Sequence, residues 1–145
     1  MVDQTSGGIV ISATPEQIMD VIADLESYPS WSEGMKAAEI LESTPQGRPA
    51  VARLNFQAGG IKDEYLLAYT WDGEESVSWT LQQGTILKAQ DGSYTLTDNG
   101  DGTVQVEYAL VIELSIPMIG MIRKRAEKQI IKTALEGLKK RVESL

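Results

Sequence analysis

The last part of the chain, from Pro117 to Leu145, alternates apolar and charged residues at the spacing of an α-helix. On a helical wheel one half is apolar and carries Ala126, Ile130, Ile131, Ala134, Leu135, Leu138, Val142 and Leu145. The other half is polar and carries Lys128, Gln129, Lys132, Glu136, Lys139, Lys140 and Glu143. The pattern predicts one long C-terminal helix that buries its apolar face against the rest of the protein.

Two charged residues interrupt the apolar half of this helix. Glu127 falls in its middle, and Arg123 lies one turn earlier on the same side. Long charged side chains are rarely buried, so one interpretation is that both reach water or pair with each other at a spacing of four residues. The alternative is that both face a cavity and form the polar end of an internal binding site.

The start of the same helix is apolar on every side. Met118, Ile119, Met121 and Ile122 point in different directions around the axis and cannot share one buried stripe. We therefore expect this end to be covered by loops, by a partner or by transient contact with a membrane surface.

The beginning of the chain predicts a strand followed by a capped helix. Residues 1–7 are expected to be flexible, and residues 8–13 form a β-rich run. Thr14 and Gln17 flank Pro15 in the pattern of a capping box, which predicts a helix that begins at the proline. Its buried stripe is expected to consist of Ile18, Val21, Ile22 and Leu25.

This first helix is expected to end before Pro29, because the residue that precedes a proline disfavours the helical conformation. The segment Tyr28–Trp31 then predicts a turn that carries two aromatic side chains. A strand is predicted over Met35–Ser43, and the chain continues as a β-meander.

The turns of the meander predict its register. A two-residue turn at Gly59-Gly60 would pair Ala58 with Ile61. A three-residue loop at the next turn would pair Trp71 with Val77 and keep the aromatic residues of both strands on one face, whereas a two-residue loop would separate them.

At the last turn, residues 98–102, we expect Thr97 to lie opposite Thr103. Because side chains alternate along a strand, these registers place one set of large residues on a single concave face. The set consists of Leu54, Phe56, Asp63, Tyr65, Leu67, Tyr69, Trp71, Trp79, Leu81, Tyr94, Leu96, Tyr108 and Leu110. The expected fold is α+β, with a strongly bent antiparallel sheet and one long helix across its concave face.

The amino-acid composition excludes several kinds of catalytic and metal-binding site. A chain of 145 residues with 42% hydrophobic residues suits one folded domain, and it contains no cysteine and no histidine. Thiolate nucleophiles, histidine catalysis and the usual zinc and haem ligands are therefore excluded. Residues 98–102 lack the ligand spacing of a calcium loop, so no metal site and no cofactor are expected.

Charge is distributed unevenly. Residues 123–145 carry 8 basic and 3 acidic residues, whereas residues 1–122 carry 5 basic and 18 acidic residues. Nucleic-acid binding is not expected, because the basic segment lacks interleaved aromatic residues and belongs to an acidic protein. The N-terminal residues do not form a signal peptide and no segment is apolar enough to span a membrane, so a cytoplasmic location is expected.

The aromatic face has two interpretations. Tyrosine and tryptophan have polar ends that need partners, so they suit a pocket for a mostly apolar ligand, although they could also fill a wide core. Asp63 is the acidic residue that the predicted register places on this face. It is a candidate general acid or base, as is Glu127, or else it lies at a solvated rim.

The order of these elements, together with Tyr28–Trp31, the strand of Trp79 and the segment Gly92–Tyr94, resembles the START-like superfamily, also called SRPBCC or helix-grip. The chain is most similar to its bacterial polyketide cyclase/dehydrase and coenzyme Q-binding group, in particular the short actinobacterial members. The resemblance implies a single domain over residues 1–145. It also implies a seven-stranded sheet around the C-terminal helix, one or two short helices after the first strand, and a ligand cavity between sheet and helix.

The resemblance further implies which residues contact the ligand. They are Trp31, Tyr65, Tyr69, Trp79, Tyr94, Tyr108, Arg123 and Glu127. The predicted register and the apolar half of the helix add Leu54, Phe56, Trp71 and Ile130 as expected ligand contacts. The expected function is binding or transport of a small hydrophobic ligand such as a lipid, an isoprenoid quinone or a polyketide-like molecule. The alternatives are a cyclase or dehydratase that uses Asp63 or Glu127, and an interaction module that docks on a membrane or a protein.

Overall fold

The computed structural model describes residues 4–58, 61–115 and 119–145, which form three α-helices and one seven-stranded antiparallel sheet. The elements in chain order are β1 (Thr5–Ile11), α1 (Pro15–Ala23), α2 (Tyr28–Trp31), β2 (Met35–Ser43), β3 (Pro49–Ala58), β4 (Ile61–Asp72), β5 (Ser76–Gln83), β6 (Leu87–Asp98), β7 (Val104–Leu114) and α3 (Gly120–Glu143). The strands lie in the order β1-β7-β6-β5-β4-β3-β2, and α3 packs against β1 and β7. This is the predicted helix-grip arrangement, an α+β fold.

The predicted pairing across the first two meander turns is confirmed. Ala58 pairs with Ile61, and Trp71 pairs with Val77. Because the register of the second turn is the one expected, Trp79 lies opposite Tyr69 and the aromatic residues of β4 and β5 share one face.

The predicted pairing at the last turn is wrong by two positions. Thr97 lies opposite Gln105 rather than Thr103. The connection is no longer than expected, but it lies one position further along the chain, at residues 99–103, because Asp98 still pairs with Val104. Asn99 and Thr103 continue this register through hydrogen bonds to each other. A shift of two residues leaves every side chain on its predicted face, since the side-chain period of a strand is two.

The start of α1 agrees with the capping box. Thr14 accepts a hydrogen bond from the Gln17 amide, and the Gln17 side chain accepts one from the Thr14 amide. The helix ends at Ala23, before Pro29 as predicted, and a 3-10 turn follows. The segment Tyr28–Trp31 is a single helical turn, in which the proline is tolerated because the first turn needs no amide donor at that position.

Both ends of the chain differ from the expected boundaries. β1 begins at Thr5, so the part of the expected flexible start from Thr5 to Gly7 is paired with β7. α3 begins at Gly120 and spans 24 residues, about 36 Å at the rise of an α-helix. The predicted helix start at Pro117 and the apolar Met118 lie outside the described residues.

The core lies between the sheet and the inner face of α3. Ile131, Leu135, Leu138 and Val142 are its buried apolar residues on the helix. A Cβ atom at Gly7 would lie 2.9 Å from the Ile131 side chain, so the glycine lets β1 and α3 approach closely. α3 packs closely on β1 and β7, and the cavity described below lies where α3 faces the strands further along the sheet.

Candidate ligand-binding cavity

A cavity of about 300 Å³ lies between the sheet and α3. Its sheet side is formed by Leu54, Phe56, Tyr65, Leu67, Tyr69, Trp79, Leu87, Gln90, Tyr94, Tyr108, Leu110 and Ile112. Its helix side is formed by Ala126, Gln129, Ile130, Thr133 and Ala134. The remaining lining residues, Ile22, Tyr28, Ser32, Glu33 and Met35, come from α1, α2, the connection after α2 and the start of β2. The volume falls at the lower end of the range of small-molecule sites.

Aromatic rings form a continuous wall on the sheet side. The centroids of Tyr94 and Tyr108 are 4.6 Å apart, and Trp79 lies 5.5 and 5.6 Å from them. Tyr69 extends the row at 6.0 Å from Trp79. Neighbouring rings at these distances support one another, so the wall has a defined shape.

All five tyrosines of the chain line this cavity. The hydroxyl of Tyr28 donates to the Ile22 carbonyl oxygen. The hydroxyls of the other four form no hydrogen bond with another described residue. Burial raises the pKa of each tyrosine well above its ordinary value. The hydroxyls are therefore protonated, neutral groups at physiological pH, able both to donate and to accept hydrogen bonds.

Trp79 is held against β6 by a glycine. Gly92 lies directly opposite it, and a Cβ atom there would be 2.4 Å from the indole ring. The indole N–H is buried and has no hydrogen-bond partner among the described residues. The ring therefore occupies the space directly beside Gly92, and a larger residue there would displace it.

Asp63 does not line the cavity, although it lies on the predicted face and is only 6% exposed. Its carboxylate accepts the backbone N–H groups of Leu87 at 2.8 Å, Ile86 at 3.0 Å and Thr85 at 3.2 Å. It also accepts the N–H of Glu64 at 2.8 Å. The carboxylate therefore anchors the β5–β6 connection, and both of its oxygens are occupied.

Glu127 and Arg123 also lie outside the cavity lining, which corrects their expected position in it. Glu127 is 0% exposed and accepts hydrogen bonds from the Thr5 hydroxyl at 2.6 Å and the Ile112 N–H at 2.9 Å. Arg123 approaches the same carboxylate at 3.4 Å, so the interpretation that the two residues pair is confirmed. The glutamate faces β1 and β7, because it lies on the side of α3 that packs most closely on the sheet.

Two predicted tryptophans contact other parts of the protein instead. Trp31 packs over Gly137 of α3, where the glycine leaves room for its ring. Trp71 donates its indole N–H to the Pro49 carbonyl oxygen at 2.6 Å and stacks on Tyr69 from outside the cavity. Neither tryptophan lines the cavity. Trp31 packs against α3, and Trp71 is bonded to the start of β3, so both support elements that surround the cavity. The other predicted residues, Leu54, Phe56, Tyr65, Tyr69, Trp79, Tyr94, Tyr108 and Ile130, do line it.

Several lining residues were not identified from the sequence. Leu67 alternates with Tyr65 and Tyr69 and was placed on their face, but it was not included among the expected ligand contacts. Gln129 was placed on the solvated half of the helix, and Thr133 was assigned to neither half. Both residues line the cavity. A polar residue on a helix gives no indication of a cavity beside it, because its sequence pattern is that of a solvated position.

Among the described residues there is no group of three acidic side chains that could hold a metal ion. The acidic loop after β6 is organised by its own hydrogen bonds, from the Gly100 N–H to Asp98 and from the Thr103 N–H to Asp101. The site is therefore described by its apolar lining and its hydroxyl groups.

Comparison with known proteins identifies related chains. The model of the family described as "Polyketide cyclase / dehydrase and lipid transport" matches residues 11–139. A START superfamily protein from Mycobacterium smegmatis has a solved structure that superposes with a TM-score of 0.91, at 25% identity and with 97% of each chain covered. An aromatase/cyclase from Streptomyces superposes with a TM-score of 0.82 at 13% identity, covering 97% of this chain and 93% of the other.

Among curated proteins, the chain is similar to the ribosome association toxin RatA of Escherichia coli. The two are 24% identical over 127 residues, which cover 88% of this chain and 78% of the relative.

Proposed function

The chain belongs to the polyketide cyclase / dehydrase and lipid transport family, and we propose that it binds a neutral, mostly apolar small molecule that carries several oxygen atoms. The binding site is the cavity between the sheet and α3. The ligand class is that of a quinone or a polyketide-like ring system rather than a simple acyl chain.

The observation that carries this proposal is the group of four tyrosine hydroxyls inside an otherwise apolar lining. Tyr65, Tyr69, Tyr94 and Tyr108 enclose the cavity without using their hydroxyls on another described residue. These hydroxyls are accessible from the cavity and are not among the fully buried atoms that lack a partner. A ligand that displaces water from them without replacing its hydrogen bonds would leave each hydroxyl unpaired, at a cost of about 1–3 kcal/mol. A ligand with carbonyl or hydroxyl oxygens would satisfy these groups, whereas a saturated chain would leave them unpaired.

The absence of basic residues from the described lining supports a neutral ligand. Glu33 is the ionisable acid among the described lining residues, and its side chain is exposed. An anionic headgroup inside the cavity would therefore lose its hydration without gaining a cation. A ligand whose oxygens are uncharged avoids this cost.

The cyclase or dehydratase alternative would need a group that moves a proton inside the cavity. Both carboxylates predicted for that role are engaged elsewhere, Asp63 with backbone N–H groups and Glu127 with Thr5 and Ile112. The raised tyrosine pKa values keep these hydroxyls protonated at neutral pH, so they have no free base form there and are only weak acids. The described residues therefore favour binding over catalysis.

The test is native mass spectrometry of the purified protein, followed by titration with menadione, a hydroxyanthraquinone and palmitic acid. We expect one molecule of the oxygenated ring compounds per chain. Tyr69→Phe and Tyr108→Phe should each weaken that binding about two- to tenfold, the effect of one neutral hydrogen bond.

Tyr28→Phe is the matched control, because its hydroxyl is already used by the Ile22 carbonyl and the ring still lines the cavity. Its affinity for the ring compounds should be unchanged. Ala134→Phe should abolish binding, because the added ring fills the helix side of the cavity. Palmitate binding that equals quinone binding and does not respond to the tyrosine variants would contradict the proposal.

A further inference from the structure

The outer face of α3 carries an open groove that is separate from the cavity. It is lined by Met121, Lys124, Arg125, Lys128 and Lys132, together with Gly120 and Gln129. Residues spaced three or four apart lie on the same side of a helix, so the methionine and the cations form one stripe. The stripe runs for about 16 Å along the helix at 1.5 Å per residue.

The positive charge of this stripe is not neutralised within the described chain. Lys124, Arg125, Lys128 and Lys132 form no ion pair with another described residue. Glu127 is the acidic residue in this part of the helix, and it is buried on the opposite side against Arg123. Residues 1–122 have a net charge of −13, so an anionic surface would be repelled by most of the protein and attracted by the stripe.

Exposed apolar side chains adjoin one end of the stripe. Ile119 is 64% exposed, Met121 is 72% exposed and Ile122 is 49% exposed. The other large apolar side chains exposed in the described chain, Val10, Leu41 and Leu145, belong to other elements or to the far end of the helix. Three neighbouring apolar groups at a helix start form a patch rather than isolated surface residues.

We propose that this end of α3 docks on a membrane surface that contains anionic lipids. The apolar patch, Ile119, Met121 and Ile122, enters the interface between headgroups and acyl chains, and the cationic stripe contacts the headgroups. No helix in the described ranges is long and apolar enough to cross a bilayer, so the contact is peripheral. A nucleic acid is a poorer match, because the stripe contains no aromatic residue on which a base could stack.

Docking in this orientation brings the helix wall of the cavity close to the lipid surface. Gln129 belongs to both the groove and the cavity lining, and Ala126 and Ile130 extend the cavity wall from it. A hydrophobic ligand could then pass between membrane and cavity without crossing bulk water. The docking itself does not depend on the proposed ligand, so the two can be tested separately.

The experiment is sedimentation of the ligand-free protein with vesicles of phosphatidylcholine alone and of phosphatidylcholine mixed with phosphatidylglycerol. We expect about tenfold stronger partitioning into the anionic vesicles, reduced by added salt. Lys128→Gln combined with Lys132→Gln should lower the partitioning about tenfold or more, as should Met121→Ser combined with Ile122→Ser.

Lys140→Gln and Leu41→Ser are the matched controls, since they remove the same kinds of exposed side chain away from the groove. Both should bind vesicles like the unchanged protein, and circular dichroism should show that every variant is folded. Equal binding to both vesicle types, or no binding to either, would overturn the proposal. Stripe-dependent binding to double-stranded RNA without vesicle binding would also overturn it and assign the groove to nucleic acid.

Discussion

The Thr5 hydroxyl donates a 2.6 Å hydrogen bond to Glu127, which joins the first strand to the last helix across 122 positions of sequence. The same carboxylate accepts the Ile112 N–H from β7, so one side chain connects three elements. Arg123 lies beside it as a partly buried counter-ion. A carboxylate can be buried in this way because each oxygen has a donor and a cation is close.

Removal of this carboxylate should destabilise the fold. Glu127→Ala is expected to lower the free energy of unfolding by about 3–5 kcal/mol, because it leaves the Thr5 and Ile112 donors unpaired and Arg123 without its partner. Thr5→Val should cost about 1–2 kcal/mol. Urea unfolding measures both, with Glu136→Gln on the exposed face of α3 as the control. A loss below 1 kcal/mol for Glu127→Ala would contradict this account.

Asp63 should stabilise the connection between β5 and β6, whose backbone N–H groups it accepts. Asp63→Asn keeps the shape but replaces one acceptor oxygen by a donor NH₂ that faces backbone N–H groups, so we expect a loss of about 1–3 kcal/mol. Amide hydrogen exchange should become faster at Thr85, Ile86 and Leu87. Glu64→Gln, on the neighbouring exposed side chain, should leave those amides unchanged. Unaltered exchange in Asp63→Asn would show that the connection is held by other contacts.

Gly92 should be required for the position of Trp79. A Cβ atom at Gly92 would lie 2.4 Å from the indole ring, so Gly92→Ala should displace the ring toward the cavity and cost about 1–3 kcal/mol. Tryptophan fluorescence and thermal unfolding would report the change. Gly120→Ala is the control, since a Cβ atom there meets no atom within 4 Å. If both variants behave alike, the close approach of Gly92 is not what positions Trp79.

The buried tyrosines should make the protein sensitive to alkali. Burial raises the pKa of all five tyrosines in the folded protein, whereas in the unfolded chain they ionise near their ordinary pKa of about 10. The folded state therefore keeps its protons, and its stability is fully present below about pH 10 and falls as the pH rises above it. Each tyrosine contributes up to about 1.4 kcal/mol per pH unit.

Urea unfolding at a series of alkaline pH values would measure this slope, and tyrosinate absorbance should appear together with unfolding. Tyr69→Phe should give a shallower pH dependence than the unchanged protein. Tyrosinate absorbance that develops near pH 10 while the protein is still folded would contradict the raised tyrosine pKa values.

Much of the fold followed from short-range rules. The capping box of Thr14 and Gln17 predicted the start of α1, because those hydrogen bonds join residues three apart. The pairing of Trp71 with Val77 followed from the need to keep aromatic residues on one face. The register predicted at Thr97 was wrong by two positions, but every side chain of β6 and β7 kept its predicted face. The predicted aromatic wall was therefore unaffected.

The polar residues were harder to place. Asp63 and Tyr65 lie on the same face of β4, yet the aspartate binds a backbone connection and the tyrosine lines the cavity. Glu127 was expected at the cavity and Gln129 at the solvated surface of α3. In the structure Glu127 is buried against the sheet, and Gln129 lines the cavity.

The sequence by itself determined most of the elements, their order and the face of the sheet on which each strand residue lies, because periodicity and turn chemistry act between residues close along the chain. Only the tertiary structure decided what each face meets. Glu127 meets Thr5 and Ile112, which are remote in sequence, and the tyrosine hydroxyls meet a cavity instead of a partner. Those outcomes depend on where α3 crosses the bent sheet, which is set by the packing of the whole core rather than by any local pattern.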